Sequence, residues 1–75
     1  MKREWLISSR EKRNLSQAQV ARMIGISRSF YNQIENGERN PSGKVALRIA
    51  NFFEIDMAHF FYLESCEMRI FEEVN

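Results

Sequence analysis

The sequence predicts an all-α protein built from five short helices around one small core. Serine residues that can cap a helix stand before three apolar stretches, and two glycines end two of those stretches. No stretch alternates apolar and polar residues convincingly enough to indicate a central strand. The 75 residues suffice for one small domain, which we place at residues 1–65, with residues 66–75 as a C-terminal tail.

The first helix is expected over residues 2–13. Trp5, Leu6 and Ser9 share its inner side, and a run of charged residues covers its outer side. Asn14 is expected to end this helix.

Helix two is expected to begin at Gln17, directly after Ser16. Residues Ser16 to Gln19 have the S-x-x-Q pattern of a capping box, in which serine and glutamine side chains each bond the other's backbone N–H. Gly25 is expected to end the helix, because glycine adopts a positive φ at low cost. The buried face of helix two is expected to carry Val20, Ala21 and Ile24.

Helix three is expected to follow after a connection of about three residues. Ser27 is a good N-cap, the helix runs from about Arg28 to Asn36, and Gly37 stops it. A turn this short that contains a glycine makes the two helix axes cross steeply, as in a helix-turn-helix.

A fourth and a fifth helix are expected in the remaining sequence. Ser42 can cap the fourth, and Asp56 can cap the fifth over residues 57–65. Ile55 is expected to be buried between them, and the tail either extends helix five or forms a short strand. The inner face of helix four is expected to carry Ala46, Leu47, Ile49, Ala50 and Phe53.

The two faces of helix three differ in chemistry. Tyr31 and Ile34 form its apolar side, which is expected to face the core. The opposite side holds short neutral polar residues, and Arg28 flanks them. Asparagine and glutamine amides match the N6/N7 edge of adenine, and arginine matches O6/N7 of guanine, whereas a merely solvated face would favour Glu and Lys. The polar side comprises Ser29, Asn32, Gln33 and Asn36.

Charge is distributed unevenly along the chain. Residues 1–50 hold ten Lys and Arg against four Asp and Glu, while residues 51–75 hold one against six. Such a dipolar protein can offer a basic face to an anion, although ordinary surface scatter is an equal alternative. The single Cys66 excludes an internal disulfide, and neither a long apolar run nor a signal peptide is present. We therefore expect a cytoplasmic protein that spans no membrane.

The stretch "LSQAQVARMIGISRSFYNQIENGERNPS", with its flanks, resembles the Cro/CI-like helix-turn-helix regulators, the XRE family. The resemblance covers residues 6–63, and fourteen positions match in register, from Leu15 to Pro41. It implies a five-helix, lambda-repressor-like DNA-binding domain whose second and third helices form the helix-turn-helix.

The resemblance also implies roles by position. Helix three would read base edges in the major groove, and surrounding residues would hold the phosphate backbone. The implied base-reading residues are Arg28, Ser29, Asn32 and Gln33, and the implied phosphate contacts are Gln17, Asn36, Arg39, Lys44 and Arg10. Arg10 also matches one half of a structural bridge to Glu35. Phe30 departs from the family pattern, and three roles stay open: packing on helix two, touching a thymine methyl, or lying exposed.

The expected function is that of a sequence-specific regulator, of repressor type, that binds a palindromic DNA operator as a homodimer. A single such domain reads too few base pairs to find one operator in a genome, and a two-fold dimer doubles the site. Phage or mobile-element repressors and restriction-modification controllers both fit, and the neighbouring genes would separate them. The expected dimer interface comprises Phe60, Phe61, Leu63 and Ile70.

A second function remains as the alternative, namely an antitoxin whose main partner is a toxin and whose DNA binding is secondary. The acidic, aromatic C-terminal end would then serve that unknown protein partner. Enzyme chemistry is disfavoured, because His59 and Cys66 do not form a zinc site and no glycine-rich phosphate loop exists. No metal and no cofactor is expected.

Overall fold

The computed structural model describes residues 2–56 and residue 60, and this part of the chain is helical with connecting turns. The described helices are α1 (Glu4–Lys12), α2 (Gln17–Ile24), α3 (Arg28–Glu35) and α4 (Gly43–Phe53). The fifth helix predicted over residues 57–65, and the tail at 66–75, lie outside the described residues apart from Phe60. No helix in the described ranges is long and apolar enough to cross a membrane.

Serine caps begin three of the four described helices, as predicted. The hydroxyl oxygens of Ser16, Ser27 and Ser42 accept backbone N–H groups at 3.1, 3.0 and 3.3 Å respectively. Gln19 completes the capping box, because its Oε1 accepts from the backbone N–H of Ser16 at 2.8 Å. These local bonds satisfy N–H groups that a helix leaves unpaired at its first turn.

The turn between α2 and α3 depends on Gly25. Its φ is +82°, in the left-handed region that favours glycine. The backbone N–H groups of Gly25 and Ile26 both donate to the carbonyl of Ala21, at 2.9 and 3.0 Å, so the end of α2 is satisfied within the turn. The three-residue connection brings α3 back against α2, which confirms the helix-turn-helix arrangement.

One hydrophobic core joins the four described helices. Each large side chain buried there contributes about 1.5–3 kcal/mol relative to an exposed position. The predicted inner faces of α2 and α3 are buried as expected. The core comprises Leu6, Val20, Ala21, Ile24, Tyr31, Ile34, Ala46, Ile49, Ala50, Phe53 and Phe60.

Several predictions about individual positions were wrong. Leu47 is 49% exposed, because the buried positions of α4 recur at intervals of three and four and Leu47 lies beside them. Ile55 and Ser9 are half-buried, and the Ser9 hydroxyl donates to the carbonyl of Trp5 at 2.9 Å. Trp5 is also half-buried, but it packs against the core as expected. Helix α1 is shorter than residues 2–13 at both ends.

Arg3 connects the segment before α1 to the end of α3 through both its backbone and its side chain. Its backbone N–H donates to the carbonyl of Glu35 at 2.8 Å, and its guanidinium donates to the carbonyls of Ile34 and Arg39 and to Oδ1 of Asn40. Arg3 is buried in this position, next to the last carbonyls of α3, which have no partner further along the helix. The arginine therefore acts as a C-terminal cap for α3 that comes from a distant part of the sequence.

Phe60 belongs to the core of this same chain. Its ring meets the Trp5 ring edge to face, with centroids 5.0 Å apart, and the Arg3 guanidinium lies 5.6 Å from its centroid. Only 3% of Phe60 is exposed, so little of this side chain is available to a partner in the described structure. Its predicted role at a dimer interface stays a prediction, and Phe61, Leu63 and Ile70 lie outside the described residues.

Candidate nucleic-acid interface

The outer side of α3 carries the residues predicted to read DNA. Arg28 and Ser29 are exposed in its first turn, and Asn32 and Gln33 are half-buried in the next. A surface depression between α2 and α3 is lined by Gln17, Arg28, Ser29 and Asn32. The fold thus brings three predicted base-reading residues beside one predicted phosphate contact.

A buried ion pair fixes the opposite side of α3. Nε and Nη2 of Arg10 in α1 donate to the two carboxylate oxygens of Glu35, at 2.7 and 3.3 Å. Nη1 of Arg10 donates to the carbonyl of Leu15 at 2.9 Å, so the guanidinium also holds the connection before α2. This confirms the predicted bridge between α1 and α3, while the predicted phosphate contact of Arg10 stays a prediction.

Three amide side chains continue from this ion pair toward the outer side of α3. Nε2 of Gln17 donates to Oε1 of Glu35 at 2.9 Å, and Oε1 of Gln17 accepts from Nδ2 of Asn32 at 3.1 Å. Oδ1 of Asn32 then accepts from Nδ2 of Asn36 at 3.1 Å. We call Gln17, Asn32 and Asn36 the amide relay, which connects the start of α2 with the second turn and the C-cap of α3.

The environment of Glu35 keeps it charged. Burial raises the pKa of this carboxyl, but hydrogen bonds from Arg10 and Gln17, with the nearby Tyr31 hydroxyl, outweigh burial and hold the pKa below its usual range. The hydrogen bond to Glu35 in turn raises the pKa of Arg10. Burial, followed by the neighbouring Glu35 carboxylate, raises the pKa of the Tyr31 hydroxyl, which approaches that carboxylate more loosely than a standard hydrogen bond.

Phe30 is half-buried, so one of the three alternatives left open by the sequence, an exposed ring, is wrong. Its ring packs against the core, and the Arg39 guanidinium lies over it, 5.4 Å from the ring centroid. The aromatic ring therefore restrains the exposed Arg39 beside the outer side of α3. Lys44 is exposed in the first turn of α4, and no hydrogen bond among the described residues joins it to the amide relay.

Sequence reasoning missed the amide relay and the Arg3 contacts. Asn32 and Asn36 are four residues apart on one helix, a spacing at which side chains meet, so this link had a local signal. Gln17 and Asn32 are fifteen residues apart and meet only because the turn at Gly25 folds α3 against α2. The Arg3 contacts span more than thirty residues and had no local signal.

The geometry defines a class of protein. Two short helices cross through a tight glycine turn, and the second presents arginine, hydroxyl and amide groups outward while its other side is fixed to the core. This is the arrangement by which helix-turn-helix proteins place a recognition helix in the major groove.

Comparison with known proteins gives the family. The model of a helix-turn-helix family matches residues 6–60, and the chain belongs to the XRE family of helix-turn-helix transcriptional regulators. The chain is 38% identical over 61 residues to an uncharacterized HTH-type transcriptional regulator, YqaF, of Bacillus subtilis, covering 81% of this chain and 80% of that protein. It is 34% identical over 64 residues to the ImmF control region 10 kDa protein of Bacillus phage phi105, covering 85% and 68%.

The similarity extends to archaea. An uncharacterized HTH-type transcriptional regulator of Methanocaldococcus jannaschii is 39% identical over 54 residues, covering 72% of this chain and 82% of that protein. The family and these relatives make the chain a DNA-binding protein of transcription regulation, a class that is typically non-enzymatic.

Proposed function

We propose that this protein is a repressor-type regulator that binds a palindromic DNA operator as a homodimer, with α3 in the major groove. The observation that carries the proposal is the division of α3 into two sides. Its inner side is buried through Tyr31, Ile34 and the Arg10–Glu35 ion pair, while Arg28 and Ser29 remain exposed next to a depression. A helix held this way can enter a groove without losing its attachment to the core.

Base reading is assigned to the outer side of α3. The guanidinium of Arg28 can bond O6 and N7 of guanine, and the Ser29 hydroxyl can donate to or accept from either base pair. Gln33 can pair with the N6/N7 edge of adenine. The oxygen and one N–H of Asn32 are hydrogen-bonded within the amide relay. We therefore assign its second N–H to a base-edge acceptor.

Phosphate contacts are assigned to the residues around this side. Gln17 stands at the first position of α2, where the helix N-terminus attracts an anion. Asn36 follows the C-terminal end of α3, Arg39 is restrained over Phe30, and Lys44 lies at the start of α4. Arg10 is the fifth assigned contact, and the Glu35 carboxylate and the Leu15 carbonyl together occupy three of its five N–H donors.

A two-fold dimer is proposed because one domain of this size reads too few base pairs for a unique operator. Phe61, Leu63 and Ile70 are the proposed interface residues, together with the small exposed part of Phe60. The domain at residues 1–65 would bind DNA and the tail at 66–75 would add to the interface. The relative from phage phi105 is named a control region protein, which supports a role in a phage or mobile element whose DNA lies in the cytoplasm.

Selection of bound sites from random DNA tests the proposal most directly. The expected result is an enriched palindrome whose half-sites lie about one helical turn apart. Gln33→Ala is expected to weaken binding to that palindrome by about 1–3 kcal/mol and to leave binding to random DNA unchanged. Enrichment of no sequence, or equal loss on both DNAs, would refute base reading by α3.

Light scattering tests the dimer separately. The full chain is expected to weigh as a dimer at micromolar concentration, and a chain ended after Leu63 is expected to be monomeric at the same concentration. An equally dimeric short chain would show that the tail is not the interface.

A further inference from the structure

The charge of Glu35 dictates how every amide in the relay is turned. A carboxylate only accepts hydrogen bonds, so the atom that Gln17 presents to it must be Nε2. Oε1 of Gln17 then faces Asn32, so Asn32 must donate from Nδ2. Oδ1 of Asn32 in turn must accept from Nδ2 of Asn36. Each amide donates toward Glu35, and reversing one would set oxygen against oxygen at the next contact.

The same direction fixes what the relay offers to solvent. Each amide nitrogen carries two N–H donors, and one of them is hydrogen-bonded within the relay. One N–H on each of the three side chains is therefore left to donate to another group. Gln17 and Asn32 lie in the wall of the depression beside Arg28 and Ser29. Phosphate oxygens only accept hydrogen bonds, so the direction of the relay determines whether Gln17 presents an N–H or an oxygen to a phosphate. In the same way it determines whether Asn32 presents an N–H or an oxygen to a base edge.

We propose that Glu35 is a positioning residue for DNA binding, whose negative charge sets the donor direction of the amide relay and so aims one N–H of Gln17 at a backbone phosphate and one N–H of Asn32 at a base edge. This inference rests on the proposed function for its DNA contacts. The donor direction itself is a property of the free protein and can be measured without DNA.

The first experiment follows the side-chain amide signals of the relay by NMR as pH is lowered. Arg10 from α1 and Tyr31 from α3 face Glu35, and neither changes charge in the acid range, so Glu35 is the group that titrates. Because the pKa of Glu35 is lowered, its charge is present at neutral pH and is lost as pH falls through that pKa. The amide signals of Gln17, Asn32 and Asn36 are expected to shift with the same midpoint as the Glu35 carboxyl carbon. Independent midpoints would overturn the inference.

Asn32→Leu provides the matched variant, since it removes the middle amide and leaves the Arg10–Glu35 pair intact. The Gln17 signal is then expected to follow the Glu35 titration still, while the Asn36 signal no longer follows it. If Asn36 continues to titrate with Glu35, the effect passes through space rather than through the amides, and the relay is refuted.

The second experiment measures DNA binding by two variants that remove one negative charge each. Glu38→Gln changes an exposed carboxylate and is expected to bind DNA equally or slightly more tightly, because repulsion from phosphates falls. Glu35→Gln is expected to bind random and operator DNA about tenfold more weakly, because a neutral amide no longer fixes the donor direction. Circular dichroism at the assay temperature verifies that both variants are folded.

The outcomes separate the inference from the proposed function. Equal behaviour of Glu35→Gln and Glu38→Gln would overturn the role of Glu35 in DNA binding. Failure of the unaltered protein to bind any DNA would refute the proposed function and the aiming of the amides at DNA. The NMR titration of the unaltered protein and of Asn32→Leu would still decide the donor direction, even if Glu35→Gln does not fold.

Discussion

The two ends of α3 differ in how firmly they are held. At the N-terminal end, Arg28 and Ser29 are exposed, and their side chains have no hydrogen-bond partner among the described residues. At the C-terminal end, Glu35 is buried in the ion pair with Arg10, and Asn32 and Asn36 are bonded to each other. One short helix therefore combines a fixed end with a free end.

This difference separates stability from specificity along a single helix. Substitutions at the free end change the chemistry offered to a ligand without removing contacts that hold the fold. Substitutions at the fixed end leave a buried charge or amide unpaired, which costs more than the hydrogen bond itself contributes. Substitutions that alter DNA preference are therefore expected to concentrate in the first turn of α3.

Breaking the fixed end should give the largest effect. Arg10→Ala leaves the Glu35 carboxylate, whose side chain is 1% exposed, without its ionic partner, and should lower the free energy of unfolding by about 3–5 kcal/mol. Urea unfolding measures the change. Lys12→Ala, an exposed cation in the last turn of the same helix, is the control and should stay within about 0.5 kcal/mol of the unaltered protein. Similar losses in the two variants would show that the ion pair does not fix α3.

Altering the free end should affect DNA binding and spare the fold. Arg28→Ala should weaken binding to the selected operator by about 1–3 kcal/mol and relax the preference at one base pair. The free energy of unfolding should change by less than about 0.5 kcal/mol. Arg22→Ala removes an equal charge from the exposed end of α2 and serves as the control for general electrostatics. If both variants lose operator affinity equally, Arg28 contributes charge alone.

Removing the Ser27 cap tests whether the N-terminal end of α3 is stabilised by its local hydrogen bond. Ser27→Ala removes the acceptor of the Phe30 backbone N–H and should cost about 1 kcal/mol of unfolding free energy. Ser27→Asp restores an acceptor and should recover most of that loss. Thermal unfolding followed by circular dichroism measures both variants, and an unchanged Ser27→Ala would mean that packing alone holds this end.

The contact between Arg39 and the Phe30 ring should contribute least to the free energy of unfolding. A double-mutant cycle of Phe30→Leu and Arg39→Ala should yield a coupling of about 0.5–1 kcal/mol in unfolding free energy, as is usual for an exposed cation over an aromatic ring. The cycle needs urea unfolding of the four proteins. A coupling near zero would mean that Arg39 does not rest on Phe30 in solution.

Local rules predicted the starts of α2, α3 and α4 and much of the core from the sequence. The caps at Ser16, Ser27 and Ser42 and the turn at Gly25 depend on neighbouring residues alone, and the structure confirms them. The position of Leu47 was mistaken because it was judged by its apolar side chain, although its spacing from the buried positions of α4 placed it outside the inner face.

Contacts between residues far apart in the sequence are the part of the candidate site that could not be predicted from it. The helical periodicity of α3 separated its apolar side from its polar side. It gave no reason to expect a buried charge at Glu35, because the partner of Glu35, Arg10, lies twenty-five residues away. The family pattern supplied that pair. Neither source predicted that Gln17 would meet Asn32, because this contact depends on the angle at which two helices cross.

The bonds made by Arg3 have a practical consequence for work with this protein. Arg3 holds the carbonyl of Ile34 at the end of the proposed recognition helix and the carbonyl of Arg39 in the loop that follows. An affinity tag joined directly ahead of this residue, or a protease that trims a few N-terminal residues, would therefore disturb the part of the protein proposed to meet DNA. A tag with a flexible spacer before residue 1 avoids that disturbance.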